Sequence, residues 1–136
     1  MHDLKDSGTD PRELSPAALA FIGDGVFELL AREWILKNGP MPAHKLHGLA
    51  VKMVCAKAQS GAFSALLPVL NEEELSILKR GRNANTARIP KNCSVGEYRK
   101  ATAVESLFGY LYLKGEILRI TELFEVIEDS REDKFE

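Results

Sequence analysis

Apolar residues recur at helical spacing along most of this chain, and two runs carry the pattern furthest. They are Ala18-Leu19-Ala20-Phe21-Ile22-Gly23-Asp24-Gly25-Val26-Phe27-Glu28-Leu29-Leu30 and Ala101-Thr102-Ala103-Val104-Glu105-Ser106-Leu107-Phe108-Gly109-Tyr110-Leu111. Ser15-Pro16 is a start signal for the first, because Ser caps a helix and Pro suits its first turn. Asn38-Gly39-Pro40 stops it, so the pattern predicts a helix over 16–37. A second helix is predicted from about Pro42 through Leu46, Leu49, Ala50, Met53, Val54 and Ala58. It should break near Ser60-Gly61 into a shorter piece that ends before Pro68. Asn71 followed by Glu72, Glu73 and Glu74 caps a third unit, ending near Gly81, with acids where the helix dipole favours them.

Residues 82–93, containing Asn83, Asn85, Pro90 and Asn92, read as a loop. Ser94 and Glu97 then form a capping box ahead of the run that reaches Leu113. An amphipathic helix is predicted from Glu116 to about Ile127, followed by a charged tail expected to fray. No strand pattern, internal repeat or low-complexity segment interrupts this. The expectation is one all-α domain over 1–136 with its core at about 15–127.

Asp24 and Glu105 interrupt the two apolar runs. A carboxylate buried without a partner is so unfavourable that it normally has a cation, a metal or a raised pKa to compensate. Two of them, 81 positions apart, point to one shared site. Gly23 and Gly25 flank Asp24, although glycine within a helix costs about 1 kcal/mol relative to alanine. Either helices pack closely there, or backbone and carboxylate approach a metal or phosphate. Glu28 shares the face of Asp24, either supporting that site or, as is favoured, pairing with Arg32 on the surface.

An apolar fraction of 45% and a charged fraction of 28% are ordinary for a soluble globular protein, and no run reaches membrane-span length. The N-terminus lacks the basic start and apolar core of a secretory signal, so a cytoplasmic location is expected, with Cys55 and Cys93 reduced. Net charge is −2, yet Lys79, Arg80, Arg82, Arg88, Lys91, Arg99 and Lys100 stand against Glu97 alone, a local +6. Such a segment fits either a polyanion met at one place or a solvated loop beside an acidic surface. His44, His47, Cys55 and Cys93 lack the paired spacings of a zinc site, and neither a Ser-His-Asp set nor a phosphate-cradling glycine loop is visible. Phe27, Trp34, Tyr110 and Tyr112 lie in apolar helix patterns, which makes them core or dimer contacts rather than base-stacking residues.

The segment Phe21-Ile22-Gly23-Asp24-Gly25-Val26-Phe27-Glu28 resembles the signature helix of the ribonuclease III family, and Ala103 to Leu111 resembles that family's second catalytic helix. Leu46-His47, Ala56-Lys57-Ala58-Gln59, Leu78-Lys79-Arg80-Gly81-Arg82-Asn83-Ala84 and Pro90-Lys91-Asn92 extend the likeness to its compact bacterial branch, Mini-ribonuclease III, which lacks a separate double-stranded-RNA-binding domain. The resemblance covers roughly 15–125. It implies a helical endonuclease domain forming a symmetric homodimer, which uses Mg²⁺ to hydrolyse double-stranded RNA. Asp24 and Glu105 match the catalytic, metal-holding carboxylates, and Phe21 matches the aromatic that plugs into the partner subunit.

Larger members carry a glutamate where this chain has Ala20 and an aspartate where it has Thr102, so the implied site is thinner. Waters or RNA phosphate oxygens would complete the coordination, with Thr102 at most orienting a water. On this reading Lys79, Arg80, Arg82, Arg88, Lys91, Arg99 and Lys100 contact phosphates, while Asn83, Asn85 and Asn92 reach 2′-hydroxyls. Lys45, Lys52 and Gln59, seven residues apart, form a further polar stripe toward the duplex. The implied task is maturation of the ends of the large-subunit (23S) ribosomal RNA precursor. A non-catalytic double-stranded-RNA-binding module on the same fold is the alternative, and a structural helical dimer with no nucleic-acid role is a third reading. The retention of both acids argues against the second.

Overall fold

The computed structural model describes residues 9–84 and 89–131. Six helices follow in order: α1 (Pro16–Leu36), α2 (Ala43–Val54), α3 (Ala56–Leu66), α4 (Glu72–Asn83), α5 (Val95–Leu113) and α6 (Ile117–Ser130). Short 3₁₀ turns at Pro11–Glu13 and Leu67–Val69 complete the set, and the described residues contain no strand.

Three helix starts are built by the expected local chemistry. The Ser15 hydroxyl accepts from the Ala18 N–H at 3.1 Å. Ser94 and Glu97 exchange side-chain and backbone bonds at 3.1 and 3.2 Å, and Asn71 and Glu74 do the same at 2.8 and 3.0 Å.

α5 is the central helix. It packs against α1, α3, α4 and α6, so Ala103, Val104, Leu107, Phe108, Tyr110 and Leu111 are buried on several faces. A helix apolar nearly all round belongs inside in this way. Phe27 of α1 meets Phe108 and Phe124 edge-on, with centroids 5.4 and 5.5 Å apart, and Trp34 meets Phe124 at 6.3 Å. Phe27, Trp34 and Tyr110 are thus core residues, while Tyr112 stands at the surface.

Two boundaries differ from expectation. The second helix breaks at Cys55, not at Ser60-Gly61, which lie inside α3. Cys55 is extended, with φ −65° and ψ 159°; it closes α2 through its N–H to the Val51 carbonyl and opens α3. Packing explains the break. An unbroken helix of 3.6 residues per turn would set Gln59 roughly 240° round from Met53, yet both are buried. The kink turns both faces to the core without a glycine or proline. α4 also continues through Arg82 to Asn83, two residues into the expected loop. α6 runs to Ser130 rather than stopping near Ile127, and the tail beyond Arg131 lies outside the described residues.

Candidate active site

Gly23 and Gly109 set the geometry. A Cβ on Gly23 would collide with the backbone carbonyl of Glu105, and one on Gly109 with that of Leu19. α1 and α5 therefore cross in backbone contact at two reciprocal glycines, which places Asp24, the next residue of α1, beside Glu105. Close helix packing is thus the reason for Gly23. Gly25 has open space around its Cα and needs no such account.

Glu105 is half-buried, whereas Asp24 is exposed, so the expectation that both acids are buried holds for neither in full. Asp24 lies at the rim because its side of α1 has no covering helix among the described residues. Burial, and after it the adjacent Asp24 carboxylate through a shared hydrogen bond and like-charge repulsion, together push the Glu105 carboxyl up to about 8. The opposing influence is the Gln59 amide, whose Nε2 donates to Glu105 Oε2 at 3.4 Å and to the Val54 carbonyl at 2.9 Å. Among the described residues no Lys or Arg pairs with either acid.

The donor set suits a hard cation. Two adjacent acids with no Lys or Arg on either among the described residues fit Mg²⁺, which binds through one or two ionised carboxylates and retains waters. Thr102 adds little, because its hydroxyl donates to the Tyr98 carbonyl at 3.0 Å within α5. Ala20 contributes no ligand. Glu28 pairs with Arg32 at 3.3 Å, as the surface reading has it.

The basic residues divide by what they touch. Lys79, Lys91, Arg99 and Asn92 are exposed, as are Lys45 and Lys52 on α2. The Arg80 guanidinium donates to the Leu14 and Arg12 carbonyls at 3.1 and 3.4 Å, tying the segment before α1 to α4. Arg82 and Lys100 stand over the Phe63 ring at 6.0 and 5.8 Å, and the Arg82 Nε also donates to Asn83 at 3.4 Å. Phe63 is one helical turn along α3 from Gln59, so these two cations flank the carboxylate site. Arg88 and Asn85 lie outside the described residues.

Gln59 corrects the polar-stripe reading. It is 2% exposed and faces α5, since the break at Cys55 takes it out of phase with Lys45 and Lys52. The hydrophobic pattern gives no signal for its place at the site, since Ala58 and Ser60 flank it, and Ala56-Lys57-Ala58-Gln59 enters the sequence reading only as part of the family resemblance.

The sequence profile of the Ribonuclease III domain matches residues 17–116, which includes both carboxylates and both crossing glycines. The chain belongs to the ribonuclease III family. The chain is 43% identical to Mini-ribonuclease 3 of Brevibacillus brevis over 114 residues, 84% of this chain and 85% of that protein. It is 44% identical to Mini-ribonuclease 3 of a Thermoanaerobacter species, over 83% of this chain and 80% of that one. A crystal structure of a Fusobacterium nucleatum protein superposes with a TM-score of 0.81 at 33% identity, covering 90% of this chain and 99% of the other. This ribonuclease III family member is accordingly an endoribonuclease of the Mini-ribonuclease 3 kind. None of its described helices is long and apolar enough to cross a membrane.

Proposed function

We propose that this endoribonuclease cleaves double-stranded RNA with Mg²⁺ held between Asp24 and Glu105, and that precursor of 23S ribosomal RNA in the cytoplasm is its substrate. One observation carries the reading: Asp24 and Glu105 adjoin at a helix crossing with no cation among the described residues to compensate them. A descendant that only bound RNA would gain nothing from keeping such a pair, which costs stability. When bound there, Mg²⁺ supplies Lewis acidity toward the phosphate and acidifies a water enough to attack it. Asp24 and Glu105 would hold it, with Asp24 at the exposed rim. Arg82 and Lys100 over Phe63, with exposed Lys79, Lys91, Arg99 and Asn92, supply groups suited to phosphates and 2′-hydroxyls. Arg80 retains N–H donors for a phosphate while anchoring the N-terminal segment. Arg88 shares this basic stretch in sequence, and Lys45 and Lys52 extend it along α2.

The reading includes a symmetric dimer. Phe21 is 82% exposed and Leu29 59% exposed, two turns apart on the outer side of α1, with Gly25 between them. An apolar strip of that kind on a soluble protein is suited to burial against a partner. Two-fold pairing through α1 would give two sites, one for each strand of a duplex.

The deciding experiment is incubation of the purified protein with a defined RNA duplex, with Mg²⁺ or with a chelator, and separation of the products on a denaturing gel. Discrete fragments are expected only with Mg²⁺. Intact RNA in both lanes, or equal cleavage in both, overturns the reading.

A further inference from the structure

Gln59 is 2% exposed, and its Oε1 is buried without a hydrogen-bond donor among the described residues. An orphaned buried acceptor is unfavourable, and an apolar side chain of the same volume would pack there without that penalty. Packing therefore does not account for a glutamine at this position. Its amide orientation is nevertheless determined. Nε2 faces two acceptors, the Val54 carbonyl at 2.9 Å and Glu105 Oε2 at 3.4 Å, and flipping the amide would set its oxygen against both.

The Val54 carbonyl is available because α2 ends there. Cys55 is extended, and Val54 is the last residue of α2, so its carbonyl lies among those a helix end leaves without an intrahelical donor. The kink between α2 and α3 thus creates the acceptor that anchors the amide, and the amide's second N–H reaches Glu105. No other side chain donates to Glu105 among the described residues.

We propose that Gln59 is the positioning residue of this site, holding Glu105 Oε2 so that the second carboxylate oxygen stays turned to a divalent cation beside Asp24. The assignment rests on the reading of Asp24 and Glu105 as the cation-holding pair. It is a role of the amide N–H rather than of side-chain volume, and the α2–α3 break is the device that aims it. Partners that orient a ligating carboxylate from behind affect affinity and turnover without touching the metal or the substrate.

Two variants separate polarity from volume. Gln59→Met keeps the reach and removes both the donor and the orphaned acceptor, whereas Gln59→Glu keeps shape and polarity but presents only acceptors to Glu105. For Gln59→Met, the thermal midpoint without metal should equal or exceed that of wild type. Mn²⁺ affinity, read from the free-ion paramagnetic resonance signal without RNA, should fall roughly 10- to 100-fold. Turnover of saturating duplex RNA should fall by a similar factor while KM stays within about twofold, because ground-state RNA binding is not what Gln59 supports. Gln59→Glu should lose at least as much turnover.

Wild-type turnover and Mn²⁺ affinity in Gln59→Met overturn the proposal. So does a loss of activity in both variants that merely follows a lowered melting temperature, since Gln59 is then a packing residue. If the wild-type protein leaves duplex RNA whole, the proposed reaction fails instead, and the Mn²⁺ and melting measurements still decide the role of Gln59.

Discussion

Glu74 and Glu105 are two glutamates of one helical domain brought to opposite ends of carboxylate behaviour. Glu74 is 2% exposed, yet Arg119 grips it with Nε and Nη2 at 2.8 Å each, and the Asn71 N–H donates to it at 3.0 Å. Burial pushes its carboxyl up, but Arg119 and Asn71 more than offset this and hold it below the usual range. Glu105 is raised to about 8, first by burial and then by the adjacent Asp24 carboxylate, and the Gln59 amide only partly opposes them. The difference lies in the cation. At Glu74 a guanidinium belongs to the fold and the charge is structural; at Glu105 the described residues supply none, which leaves room for one that arrives from solution.

The largest expected effect tests the functional half of that contrast. Asp24→Asn and Glu105→Gln each remove a charge with little change in volume. Each should lower cleavage of duplex RNA by about a thousandfold or more, the rate equivalent of the several kcal/mol a catalytic metal contributes. Melting curves should stay cooperative. Full activity in either variant would break the contrast, and unfolding of both would make these acids structural.

The structural half is tested by Arg119→Ala. Removing one partner of a buried pair leaves the other charge uncompensated, at a cost of about 3–5 kcal/mol. Arg119 keeps 27% of its side chain in water, so the lower end, about 3 kcal/mol by denaturant titration, is expected. Its Nη2 bond to the Val69 carbonyl at 2.9 Å is lost as well. The fraction of the protein still folded should cleave RNA normally, and a stable but inactive variant would contradict the division of roles.

What was legible in the sequence was local. Ser15, Asn71 and Ser94 cap helices because their partners lie three residues away, and Asp24 and Glu105 stand out against apolar neighbours. The break at Cys55 was not legible, since it has neither glycine nor proline and arises from the need to bury Met53 and Gln59 on one core. That error carried Gln59 into a surface stripe with Lys45 and Lys52. Arg119 with Glu74, and Arg80 with the Leu14 carbonyl, have no local signature because such pairs join residues 45 and 66 positions apart. The exposure of Asp24 depends on which side of α1 is left uncovered, a property of the whole assembly of helices.

A smaller effect sharpens the comparison through pH. Folded Glu105 titrates near 8, above its ordinary 4.5, so the folded state binds more protons in that window and wild-type stability falls as pH rises through it. Glu105→Gln does not titrate. Without metal its melting temperature should gain on wild type from pH 5 to pH 8. Water at this half-buried site reduces the full equivalence of about 1.4 kcal/mol per pK unit, so roughly 1–2 kcal/mol is expected. Mg²⁺ in excess should close the gap by stabilising wild type alone. A gap that is constant with pH would remove the uncompensated charge from the account.

The smallest effect lies at the acid end, and its sign must be opposite. Folded Glu74 titrates below its ordinary 4.5, so the unfolded state binds more protons there. The stability this carboxylate contributes is complete above that value and is lost as pH falls through the folded one. Glu74→Gln leaves Arg119 half-satisfied and starts less stable at neutral pH, but it has no such proton to take up. Its deficit against wild type should therefore shrink as pH falls from neutrality through and below 4.5. The change is modest because Glu74's shift is what remains after burial and ion pairing oppose each other. Parallel melting series for Glu74→Gln and Glu105→Gln test it, each taken as a difference from wild type across the same pH range. The two differences should move at opposite ends of that range, one below 5 and one between 5 and 8. If both move in the same window, the resident cation is not what separates these two carboxylates.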